Sequence, residues 1–136
     1  MRIARALYDE LFEHARADAP IECCGLIAGR DGEATRLVRV RNAEQRERHY
    51  QMDPNDQHRA LTSIEDAGED LLAIYHSHPP VGAYFSETDL EHAYMGDGQT
   101  IAWPGVIYVV VGLQPEEVKA FSIADHRADE IALDVV

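Results

Sequence analysis

The apolar positions of this chain switch several times between a helical and a strand-like period. Residues 4–18 set Ala4, Leu7, Leu11, Phe12 and Ala15 at helical spacing and end before Pro20, which predicts an amphipathic helix. Two runs near 23–29 and 34–40 flank Arg30-Asp31-Gly32-Glu33, a turn sequence that predicts a hairpin. His49 to Met52 reads as a short strand. Asp53 then caps a helix that accepts Pro54 in its first turn and runs to about Ala67, ahead of Gly68. Residues 71–78 (LLAIYHSH) begin apolar and partly β-branched, the pattern of a buried strand. Ser86-Glu87-Thr88-Asp89 reads as a helix start. A polar loop from Gly96 to Gly105 leads into the β-branched strand Val106 to Val111, and two more strands are expected near 117–123 and 130–135. The sum is an α/β chain with a mixed, mainly antiparallel sheet flanked by helices, without repeats, linkers or low-complexity segments.

Composition narrows this picture. The 136 residues suit one domain spanning 1–136, large enough to build a core without disulfide staples. A formal net charge of −13 leaves no basic stripe to neutralise phosphates, which argues against a nucleic-acid partner. The longest apolar run, Val106 to Val111, is too short to cross a bilayer. The start MRIARALYDE is charged and reads as a helix rather than a signal peptide, so a cytoplasmic protein with no membrane partner is expected. Arg36, Arg39, Arg41, Arg46 and Arg48 form a local basic stretch. It reads mainly as solvated strand and loop, with a grip on an acidic partner as the other reading. Cys23 and Cys24 are adjacent, so on a strand they face opposite sides and are poorly placed to pair or to share one metal. They read as small buried hydrophobes, with a redox or zinc role for one of them left open.

The chemistry concentrates in His76-Ser77-His78-Pro79, Ser86 and Asp89. Side chains two apart on a strand share a face, so His76 and His78 project side by side. A helix starting at Ser86 brings that hydroxyl and the Asp89 carboxylate to one helix end, where the intervening loop can fold them over the histidines. Two imidazoles and one carboxylate make a three-ligand zinc set with a fourth position open to water, the pattern of a catalytic site. Taken singly, a His-x-His pair also fits ordinary packing, and Ser-x-x-Asp fits an ordinary cap. A zinc hydrolase also needs a base that is not a ligand. Glu22, at the mouth of the apolar run that follows Pro20, is the candidate. A solvated glutamate at a strand end is the plainer alternative.

Glu22, then His76-x-His78, seven residues, Ser86 and Asp89 match the pattern Glu…His-x-His-x7-Ser-x2-Asp. This resembles the JAMM signature of the MPN-type metalloproteases. Glu22-Cys23-Cys24-Gly25 and Met52-Asp53-Pro54 are similar to segments of the short, single-domain prokaryotic members. The resemblance implies an MPN-type α/β fold, related to that of the cytidine deaminases. It implies one zinc ion per chain on His76, His78 and Asp89, with Glu22 as general base and Ser86 steadying the oxyanion. It further implies cleavage after the C-terminal Gly-Gly of a ubiquitin-like sulfur-carrier protein, releasing an amino acid such as cysteine or a lysine-linked protein. In the loop between His78 and Ser86, one of Tyr84 and Phe85 is expected to anchor the loop and the other to bind the substrate tail.

Three other readings compete. A nucleoside deaminase would need His-x-Glu and a later Pro-Cys-x-x-Cys, and neither is present. A non-catalytic MPN scaffold binding a ubiquitin-like partner fits poorly with an intact ligand set. A general zinc peptidase of short peptides stays open, as does a homodimer with structural duties beside catalysis.

Overall fold

The computed structural model describes residues 1–44 and 50–136. Arg46 and Arg48 of the basic stretch, and His49 at the start of the expected short strand, lie outside the described residues. Strand β1 (Arg2–Ile3) leads into helix α1 (Arg5–Asp18), followed by β2 (Cys24–Arg30) and β3 (Glu33–Val40). Between β2 and β3, Asp31 (φ 52°) and Gly32 (φ 76°) both take left-handed conformations. Such a two-residue turn matches the right-handed twist of the flanking strands. Helix α2 (Pro54–Asp66) begins as expected, with the Asp53 carboxylate accepting from the Asp56 N–H at 2.9 Å. Strand β4 (Asp70–His78), helix α3 (Glu87–His92), β5 (Ile107–Leu113), β6 (Glu116–Ala124), β7 (Arg127–Ile131) and β8 (Asp134–Val135) complete the chain.

All eight strands join one sheet in the order β7-β6-β5-β4-β2-β3-β1-β8. Pairing is antiparallel for β2 with β3 and β4, and for β6 with β5 and β7. It is parallel for β4 with β5 and for β1 with β3 and β8. The two outermost strands, β7 and β8, are separated in sequence by only Ala132 and Leu133. Laid flat, eight strands about 4.8 Å apart would put β7 and β8 about 34 Å from each other. Three chain steps reach only about 10 Å. The sheet is therefore curled, and α1 packs against the concave side. Leu11, Phe12 and Ala15 of α1 meet Ile3, Cys23, Ile27, Tyr75, Val109 and Val111 there.

On the other face α2 lays Ala60 and Ile64 against Cys24, Leu26, Val38, Val40 and Ile74. Cys23 and Cys24 thus lie in opposite cores, both buried and free, as small hydrophobes. Burial pushes the thiol of Cys23 up to about 12 and holds Cys24 higher still, so neither carries a ready thiolate.

Two expected strands differ. The segment near 130–135 is not one strand, because its first part pairs with β6 and its second with β1 on the opposite edge. The short strand ending at Met52 is a single bridge from Met52 to Asn42. In the basic stretch, Arg36 pairs with Glu69 at 2.8 Å and Arg41 lies 3.9 Å from Asp53. These arginines already have acidic neighbours within the chain.

Candidate metal centre and active site

Strand β4 lies near the middle of the sheet, between β2 and β5. Its apolar first half buries it from both sides, and its last residues carry the candidate ligands out to the sheet's end. His76 stands opposite Cys24 and Val110, and His78 opposite Gly112. Both imidazoles are buried on the α2 face, as strand alternation requires. Ser77 points the other way, and its hydroxyl oxygen accepts the Cys23 N–H at 2.8 Å.

The loop 79–85 then folds back over β5. The Leu113 N–H donates to the Val81 carbonyl at 3.0 Å. Gly112 permits this approach, since a Cβ there would lie 2.5 Å from the Ala83 nitrogen. The Ala83 N–H donates to the Glu117 carboxylate at 2.7 Å. His78, Gly112 and Glu117 form one register row across β4, β5 and β6, so the loop is pinned beside the strand end it leaves. Phe85 is its anchor, with its ring 5.6 Å from Tyr108 and 5.4 Å from Phe121. Tyr84 stays half in solvent, 52% exposed, and stacks on His78 at 5.0 Å.

Ser86 caps α3 in a reciprocal box. Its hydroxyl oxygen accepts the Asp89 N–H, and its own N–H donates to Asp89 Oδ2, both at 3.0 Å. This pairing turns the Asp89 carboxylate toward the histidines. His76 Nε2, His78 Nε2 and Asp89 Oδ2 form a triangle with sides of 3.3, 3.0 and 3.1 Å. A tetrahedral zinc ion with bonds of about 2.0–2.1 Å sets its donors about 3.3–3.4 Å apart. Three buried donors at that separation fit zinc, and these residues would hold it beside the cavity that His78 and Asp89 line.

Glu22 is a rival third donor, because one of its oxygens lies within 4.8 Å of a ring nitrogen of each histidine. Its closest approach decides between them. Glu22 Oε2 is 3.3 Å from Nδ1 of His78, the nitrogen that faces away from the triangle. One ring cannot present both nitrogens to one ion. By this geometry Asp89 is the better-placed third donor, with Glu22 beside the triangle. An Nδ1–H donating to Glu22 leaves the Nε2 lone pair free for a metal.

Charge follows the same geometry. Burial pulls the His78 imidazole down, but the carboxylates of Asp89 and Glu22 outweigh it and hold the pKa up at about 9. Burial would raise Asp89, yet the two histidines and the Ser86 N–H hold it well below the usual carboxylate range. The pocket thus favours a cation among its carboxylates, either a proton or a metal. His76 is covered by Tyr50, stacked at 4.7 Å, and its Nδ1 is buried without a partner among the described residues. A cavity of about 260 Å³ opens onto Glu22, Tyr50, His78, Tyr84, Ser86 and Asp89.

Every motif residue singled out in the sequence meets here. Tyr50, Asn42 and Glu117 also shape the site and were not identified from the sequence. Tyr50 had a faint signal, as an aromatic two residues before Met52. Glu117 had none, since its role exists only through the register of β5 and β6.

A family model described as prokaryotic homologs of the JAB domain matches residues 4–124. The chain belongs to the prokaryotic JAB family. This JAB protein is 33% identical over 135 residues to the CysO-cysteine peptidase of Mycobacterium tuberculosis, covering 96% of this chain and 87% of that one. It is 34% identical over 118 residues to the desampylase of Haloferax volcanii, covering 81% and 78% of the two chains. Among solved structures, a protein from Desulfitobacterium hafniense superposes with a TM-score of 0.83 at 29% identity, over 100% of this chain and 93% of that one. A JAB1/MPN domain protein from Archaeoglobus fulgidus shares the fold, with a TM-score of 0.62 at 20% identity and coverage of 100% and 99%. The MPN-type fold expected from the sequence is the fold of this JAB protein.

Proposed function

We propose that this JAB protein is a zinc-dependent peptidase and isopeptidase that cuts after the C-terminal Gly-Gly of a ubiquitin-like sulfur-carrier protein. The observation that carries the chemistry is the donor triangle of His76, His78 and Asp89, with Glu22 beside it and outside it. A zinc ion held there supplies Lewis acidity, lowering the pKa of water and polarising a carbonyl. The chain's own groups do the rest. Glu22, with one oxygen on His78, has its second oxygen available to take the proton of the attacking water. It then delivers that proton to the nitrogen of the leaving amine.

Ser86 combines two roles that looked exclusive in the sequence. A hydroxyl has one donor and two acceptor sites. The helix cap uses an acceptor site, so the O–H remains to steady the developing oxyanion. Tyr84, exposed and parallel to the His78 ring, forms a wall against which the substrate tail lies. Phe85 belongs to the core and holds that wall in place.

The substrate class rests on relatives. One is named a CysO-cysteine peptidase and another a desampylase. A tail ending in Gly-Gly suits a cavity of this size, because glycine lets backbone approach the ligand cluster closely. No helix among the described residues is long and apolar enough to cross a membrane.

The test is a sulfur-carrier protein extended at its Gly-Gly end by cysteine, or joined there to a lysine side chain, with products weighed by mass spectrometry. Cleavage after the second glycine, abolished by chelator and by Glu22→Gln, is the expected result. Broad cleavage of unrelated short peptides with the carrier left intact would overturn the substrate assignment.

A further inference from the structure

Glu22 lies two residues before β2 begins at Cys24. It therefore acts just outside the backbone ladder that fixes its neighbours. A base that must meet a water within a few tenths of an ångström needs its main chain held by something else. One backbone bond contributes, with the Ser77 N–H donating to the Cys23 carbonyl at 3.1 Å, and two buried side chains grip the peptide between Glu22 and Cys23. The Ser77 hydroxyl accepts the Cys23 N–H at 2.8 Å. At the carbonyl end of the same peptide bond, the Asn42 Nδ2 donates to the Glu22 carbonyl at 2.9 Å.

Asn42 does more than grip one carbonyl. Its Oδ1 accepts the Gln51 N–H at 3.0 Å and the Glu44 N–H at 2.9 Å. The three partners fix which end of the amide is oxygen, since one end must donate to a carbonyl and the other accept from two N–H groups. Gln51 follows Tyr50, whose ring covers His76. A single amide, 5% exposed, thus ties the base's main chain to the segment that roofs a ligand imidazole.

We infer that Asn42 is a positioning residue for the hydrolysis, setting Glu22 against the metal cluster and registering Tyr50 over His76. This rests on the reading of Glu22 as the general base. An apolar or purely acceptor side chain at position 42 removes the hold on the Glu22 carbonyl and lets that peptide tilt about its remaining bond to Ser77. A shift of about 1 Å in a reacting group costs on the order of 100-fold in rate.

Asn42→Asp isolates the effect. The carboxylate has nearly the amide's shape and still accepts from Gln51 and Glu44, but it faces the Glu22 carbonyl with an oxygen in place of a donor. The expected enzyme keeps its zinc and its KM for the carrier conjugate to within about twofold, while kcat falls about ten- to a hundredfold. A contribution to folding alone would lower the melting temperature without this split. Folded, zinc-loaded Asn42→Asp with a kcat within about twofold of the parent would overturn the proposal. Should a buried charge at this position prevent folding, Asn42→Ala is read in the same assay by the same kcat criterion. If neither variant folds, Asn42 serves folding and the inference fails. Glu22→Gln assayed in parallel separates the two levels. Full turnover there breaks the base assignment itself, whereas a dead Glu22→Gln beside a normal Asn42 variant overturns only the positioning role.

Discussion

Strand β4 buries histidines against both of its faces, and the two environments differ in one instructive respect. On the concave face, His14 of α1 meets Tyr75 with Nδ1 2.7 Å from the phenol oxygen, and its Nε2 lies 3.3 Å from Asp18. Both ring nitrogens have partners within the protein. On the opposite face, His76 keeps a buried Nδ1 with no partner among the described residues. There the Nε2 atoms of His76 and His78 converge with a carboxylate oxygen at 3.0–3.3 Å. A structural histidine is satisfied by its neighbours. The two Nε2 atoms and the carboxylate oxygen on this face converge in a geometry that a shared cation would satisfy, one that His14 lacks.

The sharpest way to break this comparison is to remove a ligand. Asp89→Ala or His76→Ala is expected to reduce turnover of the carrier conjugate to that of chelated enzyme, because two donors do not hold a catalytic zinc. Glu22→Gln comes next, with a loss of about 10²–10⁴-fold in kcat and the metal retained. Substantial turnover in that variant would remove Glu22 from proton transfer. Ser86→Ala should lose about 10²–10³-fold as an oxyanion donor. It should also lose about 1 kcal/mol of stability as a helix cap, read by denaturant unfolding. A stability loss with unchanged kcat would reduce Ser86 to a cap.

His14→Leu is the control from the other face. It leaves the Tyr75 hydroxyl buried without a partner and should cost about 1–3 kcal/mol in unfolding free energy, with zinc content and kcat unaffected. A loss of zinc there would abolish the distinction between the two faces.

The smallest expected effect is a difference in pH response. Burial lowers His14, against the pull of Asp18 and with the help of Arg39. A histidine depressed in the folded state binds fewer protons there than when unfolded, so its contribution favours unfolding as pH falls below about 6.5. His78 is displaced the other way, to about 9. Without metal, its contribution to stability is fully present below about 6.5 and is lost as pH rises through 9. Melting temperatures of chelated protein should therefore decline across that alkaline window, and those of zinc-loaded protein should not, because a ligated imidazole carries no proton to lose.

Much of this was legible before any coordinates. The motif strand and its helix cap were readable because local rules govern them: alternation on a strand puts His76 and His78 together, and a Ser-x-x-Asp start brings the carboxylate to the helix end. The curl of the sheet was not readable. It depends on residues near 130–135 dividing between two strand partners that lie at opposite ends of the sheet order, and no local pattern marks that choice. Asn42 and Glu117 escaped for a related reason. Each acts on backbone far away in sequence, Asn42 on the Glu22 carbonyl and Glu117 on the Ala83 N–H, so nothing in their own neighbourhood announces the contact. Which of Tyr84 and Phe85 anchors the loop could not be read from the sequence, and packing shows it, since only Phe85 reaches Tyr108 and Phe121.

The claim on which the rest depends is that His76, His78 and Asp89 hold one zinc ion while Glu22 stands outside it. Native mass spectrometry of the purified chain and three variants tests it most directly. One zinc per chain should be found in the parent, in Glu22→Gln and in His14→Leu, and close to none in His78→Ala. A full equivalent of zinc in His78→Ala, or its loss from Glu22→Gln, would contradict the account.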